Sequence, residues 1–183
     1  MADRQPPENT ENRPETLRDQ AALLELALEA EKVSLDRYLE WADIARDPAG
    51  KGAFVRLARD EYQHMRFIEL HLKALARQGT CSPFEVPQGK VEKLVARLER
   101  HGRLDGGPAD QPERYILQSA LESELRAEKY YTEQAEAGGP VAGLYRRLAR
   151  AESAHVALIR AEIDHIEKTG FWFDFPEFTL EGA

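Results

Sequence analysis

Four long stretches of this 183-residue chain carry apolar residues at alternating steps of three and four, and glutamate interrupts each stripe near its middle. Such spacing places a stripe on one face of an α-helix, and an apolar face is buried against other helices. A carboxylate on a buried face is unfavourable, because an unpartnered interior charge destabilises a fold by several kcal/mol. The pattern therefore predicts a helical bundle whose core must compensate negative charge.

The four predicted helices cover approximately residues 15–46, 51–78, 111–136 and 140–169. Their composition, rich in Ala, Leu, Glu and Arg, favours helix and argues against sheets. Short connections join the first helix to the second and the third to the fourth, so each pair should form an antiparallel hairpin. The connection between the hairpins, residues 79–111, is long and contains a short amphipathic segment. We therefore predict an all-α bundle of two hairpins joined by a crossover that contains a short helix.

The ends of the chain differ from this central region. Residues 1–14 are polar, include three prolines and are predicted to be a disordered tail. Residues 15–170 make up the predicted bundle. Residues 171–183 are rich in aromatic side chains, which we expect to pack against the bundle or against a partner subunit. Such an interface favours a homodimer or a higher homo-oligomer.

Composition argues against several classes of protein. The formal net charge of -8 is unlike that of a nucleic-acid-binding protein, which needs a basic surface. The single cysteine, Cys81, excludes a disulfide scaffold and any cysteine-ligated cluster within the chain. No stretch approaches the ~18 apolar residues of a membrane span, and the first residues lack the apolar segment of a signal peptide. We therefore expect a soluble, cytoplasmic protein that binds neither membrane nor nucleic acid.

The two predicted hairpins resemble each other in sequence. ALEAE at 27–31 corresponds to ALESE at 120–124, and RLARDE at 56–61 corresponds to RLARAE at 147–152. In each half, a tyrosine follows the glutamate of the first motif by seven residues, and a histidine follows the glutamate of the second motif by three. A duplicated hairpin predicts a core with two-fold pseudosymmetry.

The repeated acidic and imidazole side chains have the pattern of a dinuclear metal site. They are Glu31, Glu61, His64, Glu124, Glu152 and His155. Glu-x-x-His places two ligands on adjacent turns of one helix face, and two divalent cations would balance four carboxylates. Oxygen-rich ligation with two imidazoles suits iron or manganese. The alternative is that the glutamates are solvated and the histidines are satisfied by ordinary hydrogen bonds.

At these residues the chain resembles the rubrerythrin-like branch of the ferritin-like superfamily, over residues 18–170, and the predicted topology is ferritin-like as well. The resemblance implies that the six side chains bind two iron ions. It also implies that the hydroxyls of Tyr38 and Tyr131 hydrogen-bond to ligating carboxylates and take part in catalysis. Rubrerythrins carry one more glutamate three residues after the first ligand of the third helix. Ala127 occupies that position here, so Glu128 is the predicted extra ligand.

The resemblance implies an oxidoreductase that reduces hydrogen peroxide. Typical rubrerythrins append a four-cysteine rubredoxin module, which a chain with one cysteine cannot build. Peroxide reduction would therefore need an external electron donor, such as a rubredoxin-like protein. Three alternatives remain at this point: a ferritin-like ferroxidase for iron storage or detoxification, an oxygenase with an organic substrate, and a non-catalytic bundle stabilised by metal. Manganese is possible in place of iron.

Overall fold

A computed structural model of the protein describes residues 17–79, 87–101, 104–109 and 111–174. The helices in these ranges are α1 (Leu17–Ile44), α2 (Pro48–Gln78), α3 (Lys90–His101), α4 (Gln111–Ala137) and α5 (Ala142–Thr169). Two short strands complete the fold, β1 (Leu104–Pro108) and β2 (Phe171–Asp174). The all-α prediction is confirmed for this part of the chain, apart from the small ribbon. The predicted tail over 1–14, Cys81 and residues 175–183 lie outside the described residues.

The turn between α1 and α2 shows how local sequence sets the helix boundaries. Asp47 has an extended backbone, with φ −80° and ψ 136°, and its side chain accepts a hydrogen bond from the backbone N–H of Ala49 at 2.8 Å. Pro48 follows in the first turn, where a missing N–H loses no helical hydrogen bond. The first helix was predicted to end near residue 46 and the second to begin near residue 51, whereas α1 ends at Ile44 and α2 begins at Pro48.

Glycines end α2 and α5, as the sequence predicted. Gly79 and Gly170 adopt left-handed backbone conformations, with φ 65° and φ 84°. Their N–H groups donate to the carbonyl oxygens of Leu75 and Ile166, which gives two terminal carbonyls of these helices a partner. Because L-residues with a Cβ rarely adopt this conformation, the glycines fix where the two helices stop.

The four long helices pack as two hairpins, α1 against α2 and α4 against α5. Two clusters of buried apolar side chains fill the interior, one containing Phe54 and the other Leu148. On α1, Glu31 lies between Ala27 of one cluster and Tyr38 of the other. Glu61 of α2, Glu124 of α4 and Glu152 of α5 are likewise flanked by both clusters along their helices. A polar layer is thus enclosed by apolar packing on both sides.

A short antiparallel ribbon joins the crossover to the C-terminal end of the described chain. Leu104 of β1 lies opposite Asp174 of β2, and the register becomes irregular before the pair of Pro108 and Phe171. No strand was expected here, since the composition argued against sheets. The ribbon forms because the aromatic β2 segment has high strand propensity and finds a partner distant in sequence.

Trp172 fixes this ribbon to the bundle. Its side chain is buried, its ring lies 5.9 Å from that of Phe54 between centroids, and its Nε1 donates to Glu113 at 3.2 Å. Gly50 allows the close approach, since a Cβ at that position would lie 2.6 Å from the indole ring. At least the start of the aromatic extension therefore packs on its own bundle.

Among the described helices, none has the length and apolar character needed to cross a membrane.

Candidate metal centre

The structure brings all six predicted metal ligands together in the polar layer between the hairpins. Helices α1 and α4 each supply one glutamate, and helices α2 and α5 each supply a glutamate and a histidine. Their exposed fractions lie between 0% and 3%: Glu31, Glu61, His64, Glu124, Glu152 and His155. Because these side chains are buried, the alternative of solvated glutamates does not hold.

The six side chains form two overlapping groups, each with ligand atoms within 4.8 Å of one another. The first group is Glu31, Glu61, His64 and Glu152, and the second is Glu61, Glu124, Glu152 and His155. Each group thus has one histidine and one glutamate of its own, and both groups share two glutamates. Exchanging the halves of the sequence repeat converts one group into the other. Each group could hold a metal ion.

The imidazole of His64 faces three carboxylates through a single nitrogen. Its Nδ1 lies 3.3 Å from Glu31 Oε2, 3.3 Å from Glu61 Oε2 and 3.1 Å from Glu152 Oε1. One ring nitrogen carries at most one proton, so it can donate to only one of these oxygens. A hydrogen bond alone therefore does not account for the arrangement.

The imidazole of His155 repeats this geometry in the second group. Its Nδ1 lies 3.2 Å from an oxygen of Glu61, of Glu124 and of Glu152. Ligands held ~2.1 Å from one ion at right angles are separated by ~3.0 Å, which is close to the spacings in both groups. The spacing of the donor atoms is thus compatible with one cation in each group.

Two carboxylate oxygens in this layer accept no well-aligned hydrogen bond from the described residues, although an imidazole Nδ1 lies 3.1–3.2 Å from each. They are Oε1 of Glu61 and Oε1 of Glu152, and both are buried. A buried carboxylate oxygen without a partner is unfavourable, whereas a bound cation would satisfy it. These oxygens belong to the two glutamates that both groups share, so the residues present fit a pair of cations.

Without a cation, the layer holds extra protons. Burial, reinforced by the neighbouring carboxylates, raises the pKa of Glu31 and of Glu124 well above the ordinary value. Burial opposes the charged imidazoles, but the surrounding carboxylates outweigh it and raise the pKa of His64 and of His155. Cations would replace these protons on binding, so metal affinity should depend on pH.

Two buried tyrosines connect the hairpins at this layer. The hydroxyl of Tyr38 on α1 donates to Glu124 on α4, and that of Tyr131 on α4 donates to Glu31 on α1. Burial and the nearby carboxylates raise the pKa of both phenols well above the ordinary value, so they remain protonated donors. Each tyrosine thus orients a candidate ligand of the other hairpin, in the positions that the resemblance implies.

Glu128, the predicted extra ligand, lies apart from both groups. It is half-buried and lines a surface groove between α4 and α5 together with Arg146 and Arg150. Four residues of helix correspond to about 400°, so Glu128 is rotated by about 40° from Glu124 around α4. Tyr131 is rotated by about 20° to the opposite side and is buried. The core face of α4 therefore lies toward Tyr131, and the structure does not bring Glu128 to the cluster.

Asp60 lies at the site, although the sequence analysis did not select it. The side chain is 1% exposed, and its Oδ2 lies 3.6 Å from Nε2 of His155. Its two oxygens accept the backbone N–H groups of Lys90 and Val91 at 2.7 and 2.8 Å. The sequence signal was the one position at which RLARDE and RLARAE differ, where Ala151 corresponds to Asp60.

Four carboxylates and two imidazoles form a donor set that suits iron or manganese among the divalent cations. We find no match to this chain among protein family models, curated proteins or solved structures. The chemistry open to the centre therefore has to be inferred from its donor atoms and their surroundings.

Proposed function

We propose that the protein is a non-haem di-iron oxidoreductase that reduces hydrogen peroxide, built on a ferritin-like bundle of the rubrerythrin type. One observation carries the proposal: each of two buried imidazole nitrogens faces three carboxylate oxygens at 3.1–3.3 Å. This arrangement is suited to a pair of divalent cations and leaves hydrogen bonds unsatisfied without them.

Each ion would have its own ligands and two shared ones. Glu31 and His64 would hold one ion, and Glu124 and His155 would hold the other, with the shared glutamates contributing to both. Two bound iron ions would supply the two electrons that cleave the O–O bond of hydrogen peroxide. With two protons, one peroxide molecule then gives two molecules of water.

The surroundings of the site favour a small reactant. The six side chains are almost completely buried, and none of them lines the surface cavities at Glu128, Ile163 and Leu72. An organic substrate would need a cavity that reaches the ligands. Hydrogen peroxide is small enough to reach a buried layer through local motions of the helices. The burial of the ligands thus favours a small reactant such as hydrogen peroxide over a bulky organic substrate.

The two tyrosines are suited to supply and hold protons. The phenols of Tyr38 and Tyr131 remain protonated and contact carboxylates of the site directly. Water formation consumes two protons per peroxide, and a donor in hydrogen-bond contact with the ligands can deliver them without bulk water. The same hydrogen bonds keep Glu124 and Glu31 in one orientation.

The electrons would come from an external donor. The chain contains one cysteine and has no second redox centre of the four-cysteine type. We propose a rubredoxin-like donor that restores the reduced state after each turnover. Without such a donor, each reduced centre would reduce one molecule of peroxide and then stop.

The proposal is tested by loading the full chain with ferrous iron under anaerobic conditions and adding oxidants in a stopped-flow spectrometer. We expect rapid oxidation by hydrogen peroxide, with one peroxide consumed per two ferrous ions, and slow oxidation by oxygen. Faster oxidation by oxygen with accumulation of ferric iron would instead identify a ferroxidase. Bound iron that reacts with neither oxidant would identify a structural metal.

A matched pair of variants on one helix serves as a control. Glu124→Gln removes a candidate ligand and should abolish the rapid reaction with peroxide. Glu128→Gln changes a glutamate one turn further along α4, in the groove beside Arg146 and Arg150, and should leave the reaction unchanged. Equal loss in both variants would contradict the assignment of the ligands.

A further inference from the structure

We infer that Asp60 makes the two metal positions unequal, so that a divalent cation binds more tightly at the position of His155 than at the position of His64. The inference rests on the proposed dinuclear centre. Asp60 acts as a positioning residue, since it reaches the metal only through the imidazole.

The two nitrogens of His155 face different surroundings. Nδ1 lies among the carboxylates of the second group, whereas Nε2 points toward Asp60, with 3.6 Å to Oδ2. This separation exceeds a hydrogen-bond length, so Asp60 acts on the ring through its negative charge. A carboxylate behind Nε2 favours the tautomer with the proton on Nε2, which leaves the lone pair of Nδ1 available for a cation.

The first turn of α3 holds Asp60 in this place. The backbone N–H groups of Lys90 and Val91 donate to its two oxygens, and the positive end of the helix dipole favours its negative charge. Gly89 permits the contact, because a Cβ at that position would lie 2.3 Å from Oδ2. The carboxylate therefore cannot turn away from His155 without breaking two hydrogen bonds, one of them buried.

His64 has no such partner in the part of the chain that the structure describes. All of its ion-pair distances within 4.0 Å involve Nδ1, and none involves Nε2. The repeat places Ala151 where an equivalent of Asp60 would be, and alanine carries no charge. The two positions otherwise match, each with one histidine, one glutamate of its own and two shared glutamates. Asp60 is thus the difference between them.

Loss of such an outer partner typically lowers metal affinity by roughly 10- to 100-fold. Two ions in one centre also repel each other, so stepwise binding to the wild-type chain would not by itself reveal unequal positions. The comparison therefore has to be made with one position at a time. The histidine variants His64→Ala and His155→Ala provide it, since each impairs one position and leaves the other complete.

The experiment is an anaerobic titration of the full-length variants with Mn²⁺, followed by electron paramagnetic resonance of the free ion. We expect His64→Ala to bind Mn²⁺ roughly 10- to 100-fold more tightly than His155→Ala. Adding Asp60→Asn to both variants should abolish this difference, because it should lower the Mn²⁺ affinity of the His64→Ala variant. Asparagine has nearly the volume of aspartate and keeps one oxygen that can accept a hydrogen bond from the start of α3. Circular dichroism establishes that each variant is folded.

Equal affinities of the two single variants would overturn the inference, and so would a difference that survives Asp60→Asn. If one histidine variant does not fold, His64→Gln and His155→Gln give the same comparison with less loss of packing. A wild-type chain that binds no Mn²⁺ or iron would refute the dinuclear centre itself. That result is distinguishable from equal Mn²⁺ affinities at the two positions, which would overturn only the role of Asp60.

Discussion

Tyr38 on α1 donates a hydrogen bond to Glu124 on α4, and both side chains are buried in the polar layer. The repeat-related pair, Tyr131 and Glu31, makes the same contact in the opposite direction between the helices. These two bonds join α1 of one hairpin to α4 of the other. They also leave the remaining oxygens of both glutamates free to face the histidines.

Removing one of these hydroxyls should destabilise the metal-free protein. Tyr38→Phe leaves an oxygen of Glu124 buried without its donor, which should lower the free energy of unfolding by about 1–3 kcal/mol. Urea unfolding in the presence of a chelator measures the change. Tyr115→Phe is the control, because Tyr115 is 75% exposed and its hydroxyl can bind water. Equal stability of Tyr38→Phe and the wild-type chain would contradict the role given to the hydrogen bond.

The stability of the metal-free protein should fall as pH rises. The pKa values of Glu31, Glu124, His64 and His155 are all raised in the folded state, from ordinary values of 4.5 and 6.5. The folded chain therefore binds more protons than the unfolded chain above these values, and the free energy of unfolding decreases with pH. The stabilisation by the histidines is complete below pH 6.5 and is lost as pH rises through their folded-state pKa values.

Urea unfolding at a series of pH values from about 6 to 9 tests whether the free energy of unfolding decreases as pH rises. The pKa of Glu61 and that of Glu152 are lowered, so their contribution would be lost only on acidification and is constant in this range. Bound cations should reverse the trend, because they compete with protons for the same atoms. Stability of the metal-free chain that increases toward pH 9 would refute the assignment of the extra protons.

The fit between Gly50 and Trp172 gives a prediction about the ribbon. Gly50→Ala would place a methyl group 2.6 Å from the indole ring and should cost about 1–3 kcal/mol of stability through overpacking. Thermal unfolding and tryptophan fluorescence report the change. Gly143→Ala on α5 is the matched control, since no atom lies within 4 Å of its Cβ, and it should be neutral or stabilising. A neutral Gly50→Ala would show that Trp172 is not held in this pocket.

Much of the bundle and the candidate ligands could be predicted from sequence because both depend on helix periodicity. Spacing alone placed Glu61 with His64, and Glu152 with His155, on common faces, and the repeat related the two pairs. The direction in which a side chain points around a helix is predicted less precisely, and for this reason Glu128 was expected to be an additional metal ligand. A side chain about 40° from the centre of the core face of α4 can lie inside or at its edge.

Asp60 and the ribbon could not be predicted because they depend on contacts between distant segments. The role of Asp60 requires the start of α3 to lie beside α2, with 30 residues between Asp60 and the N–H of Lys90. The ribbon requires β1 to pair with β2, more than 60 residues later. Local propensity indicates neither contact, since loop closure over such distances is decided by the packing of the whole bundle.

The metal content of the purified chain shows directly whether the polar layer binds two ions. Protein equilibrated anaerobically with ferrous iron, then freed of unbound metal by gel filtration, should retain two ions per chain. The Glu61→Ala, Glu152→Ala double variant should lose this stoichiometric binding, because it removes both shared carboxylates. Two ions retained by the double variant, or none retained by the wild-type chain, would show that these side chains do not form a dinuclear metal centre.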